Sequence, residues 1–286
     1  MLHGVLAYSL WGIVAAYWKI SPLPTIDASE LIAHRAIWGL VTFGVIALAV
    51  GQRRALVSAL RQPRLLAVMT VSGVILASNW IMFVGATTSG HLLDASLGYF
   101  INPLVSIALG TLLLGEQLRR GQWIAIALAT IGVGVLTYRT GHVPWIALAL
   151  AVTFGLYGLI RKVAKVDALV GSTVETAVLA LIAVVYLALR GGGAIMHADA
   201  RLALLLAGTG IVTALPLVLF TSAARRLPLS TVGFLQYLAP TGQFLLAVLA
   251  YGEPLAPVRL FAFAWIWAGL AVFAIDGVVA ARASAR

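Results

Sequence analysis

The sequence has 286 residues, of which 62% are apolar and 10% charged, and its mean hydropathy is +1.04. A soluble domain carries charge at roughly a quarter of its positions, so most of this chain must face lipid. The absence of cysteine excludes disulfide bonds, thiolate metal sites and cysteine nucleophiles. The formal net charge of +10 would suggest nucleic acid in a soluble protein. Here it indicates basic residues retained on the cytoplasmic side of a membrane, and we expect no nucleic-acid partner.

Ten apolar runs follow one another, each close to the length of about 20 residues that a transmembrane helix needs. Glycine and proline breaks separate them, and they do not alternate as the strands of a membrane barrel do. The first run has neither a preceding basic residue nor a small-residue cleavage site, so we interpret it as a retained span. The predicted fold is an all-α membrane protein with ten transmembrane helices. The predicted spans are 3–19, 31–50, 65–87, 93–115, 122–138, 143–160, 170–189, 202–224, 231–251 and 257–281.

The basic residues favour one orientation of these spans. With the N-terminus in the cytoplasm, thirteen lysines and arginines fall in cytoplasmic segments and five on the opposite side, while Arg35 lies inside a span. The reverse orientation would violate the positive-inside rule by the same margin. We therefore predict that both termini are cytoplasmic. The thirteen residues are Arg53, Arg54, Arg61, Arg64, Arg119, Arg120, Arg161, Lys162, Lys165, Arg225, Arg226, Arg282 and Arg286.

The two halves of the sequence match at an offset of 137 residues. The pattern Pro-(x)11-Gly-Glu-x-Leu occurs at residues 103–118 and again at 240–255. Each half contains five spans, and an odd number inserts the second copy upside down. We predict two five-helix repeats, residues 1–140 and 141–286, with the second repeat inverted. Inverted repeats are typical of secondary transporters, whose central site opens to either side in turn.

The sequence resembles the drug/metabolite transporter superfamily and, within it, the EamA-type exporters. The resemblance is carried by the ten-span plan, the twin proline elements and the opening AYSLWG at 7–12. The segments ELIAHRAIW at 30–38 and SNW at 78–80 are similar to the RarD-type branch, and the plan is also similar to YddG-type amino acid exporters. The resemblance implies a multi-pass secondary transporter of the bacterial inner membrane. It also implies export without ATP hydrolysis of amino acids, other metabolites or drugs. We predict that the substrates are small metabolites, in the first place neutral or aromatic amino acids, and that no cofactor is needed.

Polar and aromatic residues inside the spans indicate where a substrate binds, because polar groups are costly in lipid. The fourth and ninth spans are repeat partners, and each combines a polar stripe with a proline that kinks a helix. Pro103 and Pro240 are therefore the predicted hinges. In the alternative interpretation, the prolines only shape packing and the polar groups bond between helices. The predicted substrate-binding residues are Trp11, Ser78, Asn79, Trp80, Tyr99, Asn102, Tyr157, Gln236, Tyr237 and Gln243.

The charged residues in the spans also have a structural interpretation. Arg35 and Glu175 lie early in their spans, and we favour snorkelling to the nearest interface over gating or an ion pair. Glu116 and Glu253 are expected to end helices and contact neighbours. The five histidines show no metal-ligand spacing, so no metal site is predicted.

Other classes of function fit the sequence less well. An intramembrane enzyme is the alternative of a different class, but neither a nucleophile with a base nor a metal motif occurs at membrane depth. The sequence contains no Walker-type loop, which excludes an ATP-driven pump. A drug-like compound stays open as the substrate, and so does coupling to protons. We expect a monomer whose partners are a small-molecule substrate and membrane lipid.

Overall fold

The computed structural model describes residues 1–88, 92–138, 143–252 and 257–284, and these ranges contain helices and no strand. Nine described segments are long and apolar enough to cross a membrane, and a tenth helix of 16 residues precedes them. The prediction of an all-α, ten-helix membrane protein is confirmed. The helices are α1 (Leu2–Tyr17), α2 (Ala28–Ala49), α3 (Arg53–Leu60), α4 (Pro63–Thr88), α5 (Leu92–Leu114), α6 (Arg120–Tyr138), α7 (Trp145–Val163), α8 (Ala168–Leu189), α9 (Ala200–Arg226), α10 (Leu229–Gln236), α11 (Leu238–Leu245) and α12 (Pro257–Ser284).

Aspartates cap the second and seventh spans in the same way. The carboxylate of Asp27 accepts hydrogen bonds from two backbone N–H groups in the first turn of α2, and that of Asp167 does the same for α8. Such caps satisfy N–H groups that have no partner inside the helix. Eight residues after each cap lies a charged side chain, Arg35 on α2 and Glu175 on α8. The caps therefore fix these two charges at equal depth from opposite ends of the bundle.

The helix α3 was not among the predicted spans. It has only eight residues, too few to cross a membrane. Its apolar side, with Leu56 and the buried Ala59, packs against Met69 and Val170, while Arg53 is exposed. It is an amphipathic helix beside the bundle, which hydropathy over longer windows does not detect.

The ninth span is interrupted. α10 ends at Gln236 and α11 begins at Leu238, and a single π-helical turn follows at Leu246–Ala250. Pro240 has no N–H to donate to the carbonyl of Gln236, which explains a break at this point. Pro103, its predicted counterpart, lies inside a continuous α5. The interruption is thus present beside one of the two predicted hinges; the hinge role itself stays a prediction.

Helices of residues 2–138 pack mainly on helices of residues 145–284. α1 packs on α9 and α11, α2 on α8 and α9, α4 on α7 and α8, α5 on α7 and α10, and α6 on α12. The interior of the bundle is consequently formed by both halves of the chain. Any chamber inside it is lined from both sides.

Two glycines bring α6 and α12 into backbone contact. A Cβ atom on Gly132 would lie 2.6 Å from the carbonyl oxygen of Ala262, and one on Gly269 would lie 2.8 Å from the carbonyl oxygen of Ala125. Along α6, Ala125 precedes Gly132. Along α12, the partner of Gly132 precedes the partner of Ala125, so the two helices are antiparallel. The two contacts are equivalent under the offset of 137 residues, because Gly132 matches Gly269 and Ala125 matches Ala262.

The Gly132→Ala variant is expected to lose about 1–3 kcal/mol of folding stability, because its methyl group would overlap backbone that cannot move aside easily. Thermal unfolding in detergent micelles measures this loss. Gly134→Ala is the matched control, since nothing lies within 4 Å of the added methyl group. It should be neutral or slightly stabilising, as alanine is the better helix former. Equal unfolding temperatures for the two variants would contradict the close contact.

Contacts between helices distinguish the two ends of the bundle. The terminal face is the end that carries His3, Gln52, Asp167, Ser222 and Arg225. The far face is the end that carries Tyr17, Ser29, Glu30, Tyr186 and Leu205.

Candidate functional site

Arg35 lies in the half of the bundle nearest the far face, where side chains from several helices surround it. Its Cζ atom is 4.4 Å from the ring centre of Trp80 and 5.1 Å from that of Trp18. Its Nε donates a hydrogen bond to Oγ1 of Thr213 at 3.2 Å, and Tyr99 lies close enough to interact with its charge. Tyr99 is nevertheless 38% exposed. These five residues form one cluster in the half of the bundle nearest the far face, here called the outer pocket.

An aromatic cluster lies deeper, between the outer pocket and the terminal face. The ring of Tyr157 is stacked on that of Phe220 at 5.7 Å, and Tyr8 is 6.0 Å from Phe220. The side chains of Tyr8, Tyr157 and Phe220 are almost completely buried. This cluster, the aromatic floor, closes the bundle below the outer pocket. Its members are Tyr8, Trp11, Phe154, Tyr157 and Phe220.

Buried amides lie beside the floor, on α5 and α10. Nε2 of Gln236 donates to Oγ of Ser106 at 2.8 Å, and the side chain of Gln236 also faces Tyr8. Among the described residues, Oε1 of Gln236 and Oδ1 of Asn102 have no hydrogen-bond partner. A buried acceptor left unsatisfied costs about 1–3 kcal/mol. In a binding site, such acceptors are free to bind donors of a ligand.

The structure places Ser78 on an exposed stripe of α4 and Asn79 in a contact between helices. Ser78 is exposed on the same stripe of α4 as Val74, and its hydroxyl donates to the Val74 carbonyl. Nδ2 of Asn79 donates to the Leu150 carbonyl at 2.8 Å and to Oγ1 of Thr153 at 2.9 Å. This amide joins α4 to α7, which corresponds to the alternative of bonding between helices.

The remaining predicted residues are divided between regions. Trp80 and Tyr99 line the outer pocket, and Trp11 and Tyr157 belong to the aromatic floor. Tyr237 packs in a separate buried cluster. Its hydroxyl has no partner among the described residues. Gln243 is half-buried on α11.

Several residues of the site were absent from the predicted set. Tyr8 belongs to the AYSLWG segment that carries the family resemblance, and Phe220 matches Phe83 at the repeat offset. The family segment and the repeat match could therefore have identified these two residues from the sequence. Arg35 was interpreted as snorkelling to the interface, but the structure holds it between two tryptophans. The rotation of α2 that produces this contact cannot be deduced from hydropathy.

At the terminal face, Glu116 connects the end of α5 to the start of α10. Its carboxylate accepts hydrogen bonds from the N–H of Leu229 at 2.5 Å, the N–H of Ser230 at 2.8 Å and the hydroxyl of Ser230 at 2.7 Å. Lys162 lies 3.8 Å from the same carboxylate and donates to the Leu227 carbonyl at 2.5 Å. A carboxylate at a helix N-terminus is stabilised by the N–H groups and the helix dipole. These five residues form the terminal lock, and the expected contact of Glu116 with its neighbours is confirmed. Its counterpart Glu253 lies outside the described residues.

Glu175 does not snorkel, so that prediction is wrong. It is 0% exposed and lies 3.7 Å from the guanidinium of Arg161, and it accepts a hydrogen bond from Ser72 at 2.7 Å. Arg161 also donates to the Ala168 carbonyl at 2.9 Å. The ion pair that was the less favoured interpretation is present, because the side chain points into the bundle and towards α7.

Comparisons with known proteins agree with this architecture. Residues 1–138 match the EamA-like transporter family. The chain is 42% identical to Protein RarD of Escherichia coli K12, covering 100% of this chain and 97% of that protein. It is 43% identical to an uncharacterized transporter of Vibrio cholerae, covering 100% and 95%. It is 32% identical to the chloramphenicol-sensitive protein RarD of Pseudomonas aeruginosa, covering 92% and 90%.

A solved crystal structure shares the fold, with a TM-score of 0.74 at 23% identity over 96% of each chain. The relatives are named as transporters, and the apolar helices require a membrane. The protein is thus a multi-pass inner-membrane transporter and not an enzyme. By its full-length similarity to RarD proteins, the chain belongs to the RarD-like branch of the EamA family of drug/metabolite transporters.

Proposed function

We propose that this transporter exports neutral or aromatic amino acids across the inner membrane by alternating access. The observation that carries the proposal is the contrast between the two ends of the interior. Tyr99 in the outer pocket is 38% exposed, whereas Tyr157 in the aromatic floor is 0% exposed. A chamber that is open at one end and closed at the other is one of the two states that alternating access requires.

The proposed mechanism needs two halves that can exchange conformations, which residues 1–140 and 141–286 would provide as inverted repeats. The antiparallel contact of α6 with α12 supports this division. A two-fold axis along the membrane normal would make two equivalent helices parallel, whereas an axis in the membrane plane makes them antiparallel. The contacts at Gly132 and Gly269 fit the second arrangement.

The proposed direction follows from the positive-inside rule. Most lysines and arginines lie at or near the terminal face, for example Arg53, Lys165 and Arg225. With this face in the cytoplasm, the outer pocket opens to the periplasm. The terminal lock then closes the cytoplasmic entrance.

The lining of the chamber supports a zwitterion with an apolar side chain. Trp11, Trp80 and Tyr99 offer aromatic surface, which attracts both apolar groups and cations. The unpaired oxygens of Asn102 and Gln236 can accept hydrogen bonds from an ammonium group. An α-amino acid with an aromatic or apolar side chain combines these chemical features.

A drug-like compound is the second candidate substrate. The relative of Pseudomonas aeruginosa that is 32% identical is named a chloramphenicol-sensitive protein. Chloramphenicol therefore belongs in any panel of tested compounds. It has neither an ammonium group nor a carboxylate, so it would bind through its aromatic ring and through hydrogen bonds from its hydroxyl and amide groups.

Counterflow in proteoliposomes tests the proposal. Liposomes loaded with unlabelled phenylalanine are expected to accumulate labelled phenylalanine, and other neutral amino acids should compete. Asn102→Ala and Gln236→Ala should each weaken apparent affinity about 5- to 100-fold, the equivalent of one buried hydrogen bond. Arg53→Ala, on the exposed side of α3, should leave transport nearly unchanged.

The proposal fails if no amino acid exchanges while chloramphenicol does. The proposed binding site is contradicted if Asn102→Ala and Gln236→Ala both transport at the wild-type rate. The amides would then be contacts between helices, and the substrate would bind elsewhere.

A further inference from the structure

Arg35 carries a positive charge inside the membrane without a counter-ion among the described residues. None of the ion pairs between those residues includes it. Its hydrogen bond to Thr213 uses Nε. The two terminal nitrogens have no partner among the described residues, and neither is fully occluded. An ionisable group at this depth is usually functional and has a partner.

Arg161 is a buried arginine of the same bundle whose charge is paired within the protein. Its guanidinium lies against the carboxylate of Glu175 and donates to the Ala168 carbonyl and to Oγ of Ser172. Arg35 has the corresponding depth at the other end of the bundle. There the protein supplies aromatic faces and one hydroxyl in place of a carboxylate. The missing partner is an anion.

The guanidinium of Arg35 is held in one orientation before any ligand arrives. Gly210 lies against the carbonyl of Trp38, so closely that an added Cβ would be 2.3 Å away. This contact draws α9 onto α2 and brings Thr213, one turn further along, to Nε of Arg35. Trp80 covers one region of the guanidinium at 4.4 Å. A planar fork of N–H groups fixed in this way matches the geometry of a carboxylate, which it can bind through two parallel hydrogen bonds.

We infer that Arg35 binds the carboxylate of the transported amino acid through its two terminal nitrogens. The inference rests on the proposed function and identifies the group that selects amino acids from other compounds with apolar side chains. The bound carboxylate neutralises the charge of Arg35. The aromatic side chain of the substrate then lies against Trp80 and Tyr99, and the α-ammonium group points along α5 towards Asn102. Amines and neutral amides lack the anion and bind weakly.

Competition against labelled phenylalanine in counterflow tests the inference on the whole protein. For the wild-type protein, phenylalaninamide should compete about 10- to 100-fold less well than phenylalanine, the effect of a lost charge-assisted pair. Arg35→Gln should lower the apparent affinity for phenylalanine by a similar factor and leave that for phenylalaninamide nearly unchanged. The two ligands should then compete equally. Arg35→Lys keeps the charge without the fork, and its preference for the acid should be intermediate.

A purely structural role for Arg35 predicts another result. In that case Arg35→Gln would weaken both ligands equally and the preference for the acid would persist, which overturns the inference and leaves the proposed function intact. Equal competition by the acid and the amide in the wild-type protein overturns it without any variant. Absence of amino-acid counterflow in the wild-type protein overturns the proposed function and this inference together.

Discussion

The Glu175→Leu variant is expected to unfold at a clearly lower temperature than the wild-type protein. It leaves Arg161, which is 1% exposed, as a buried charge without its carboxylate. Breaking a buried ion pair on one side costs about 3–5 kcal/mol, much of it the desolvation of the remaining charge. The substitution also removes the acceptor of the hydrogen bond that the Ser72 hydroxyl donates. Thermal unfolding in detergent, followed by tryptophan fluorescence, measures the effect.

The double variant Arg161→Met with Glu175→Leu provides the decisive comparison. Removing both charges also removes the desolvation penalty, so the double variant should be more stable than Glu175→Leu alone. Arg225→Gln is the control, because its pair with Asp167 is partly exposed and should contribute less than about 1 kcal/mol. Additive losses in the double variant would show that the two side chains do not interact.

Glu116→Ala is expected to break the terminal lock. The equilibrium between the states that are closed and open at the terminal face should shift towards the open state by about 10-fold or more. The variant removes three hydrogen bonds to the start of α10 and the partner of Lys162. Loss of one capping interaction alone costs about 1 kcal/mol, and charge-assisted bonds cost more. The chain has no cysteine, so a single introduced thiol reports accessibility without further changes.

Ser106→Cys is a nearly isosteric probe for this shift. Ser106 is 1% exposed and contacts Gln236 between α5 and α10. In the otherwise wild-type chain, the thiol should react slowly with a membrane-impermeant reagent, and Glu116→Ala should accelerate the reaction about 10-fold. Glu116→Asp, which keeps the charge, should lie between the two. An unchanged rate would mean that the lock does not control this end of the chamber.

The spans could be predicted from the sequence because lipid imposes one strong constraint, a long apolar helix for each crossing. All ten predicted spans agree with observed helices within a few residues. The break in the ninth span could not be placed with the same certainty. Pro103 and Pro240 have the same local pattern, yet α5 continues through Pro103 and packs there against Gly233. Tertiary packing decides how a helix accommodates its proline.

The site could be predicted only in part, because sequence does not give the rotation of a helix in its bundle. Ser78 and Asn79 are neighbours, but successive residues of a helix point about 100° apart. One consequently lies on the exposed stripe of α4, and the other bonds to α7. Trp80 and Tyr99 lie beside Arg35 in the outer pocket, and their role in binding stays a prediction. The position of Arg35 early in its span favours the interface, and its tryptophan neighbours Trp18 and Trp80 are not adjacent to it in sequence.

The central claim, one chamber exposed to either side in turn, is tested most directly by labelling two positions on α5. Tyr99 and Ser106 lie seven residues apart on one helical face; Tyr99 belongs to the outer pocket, and Ser106 bonds to Gln236 beside the aromatic floor. In oriented membrane vesicles, Tyr99→Cys should react with the impermeant reagent from the periplasmic side alone. Ser106→Cys should react from the cytoplasmic side alone, and phenylalanine should change the two rates in opposite directions. Reaction of both thiols from the same side, with rates that rise and fall together, would contradict alternating access.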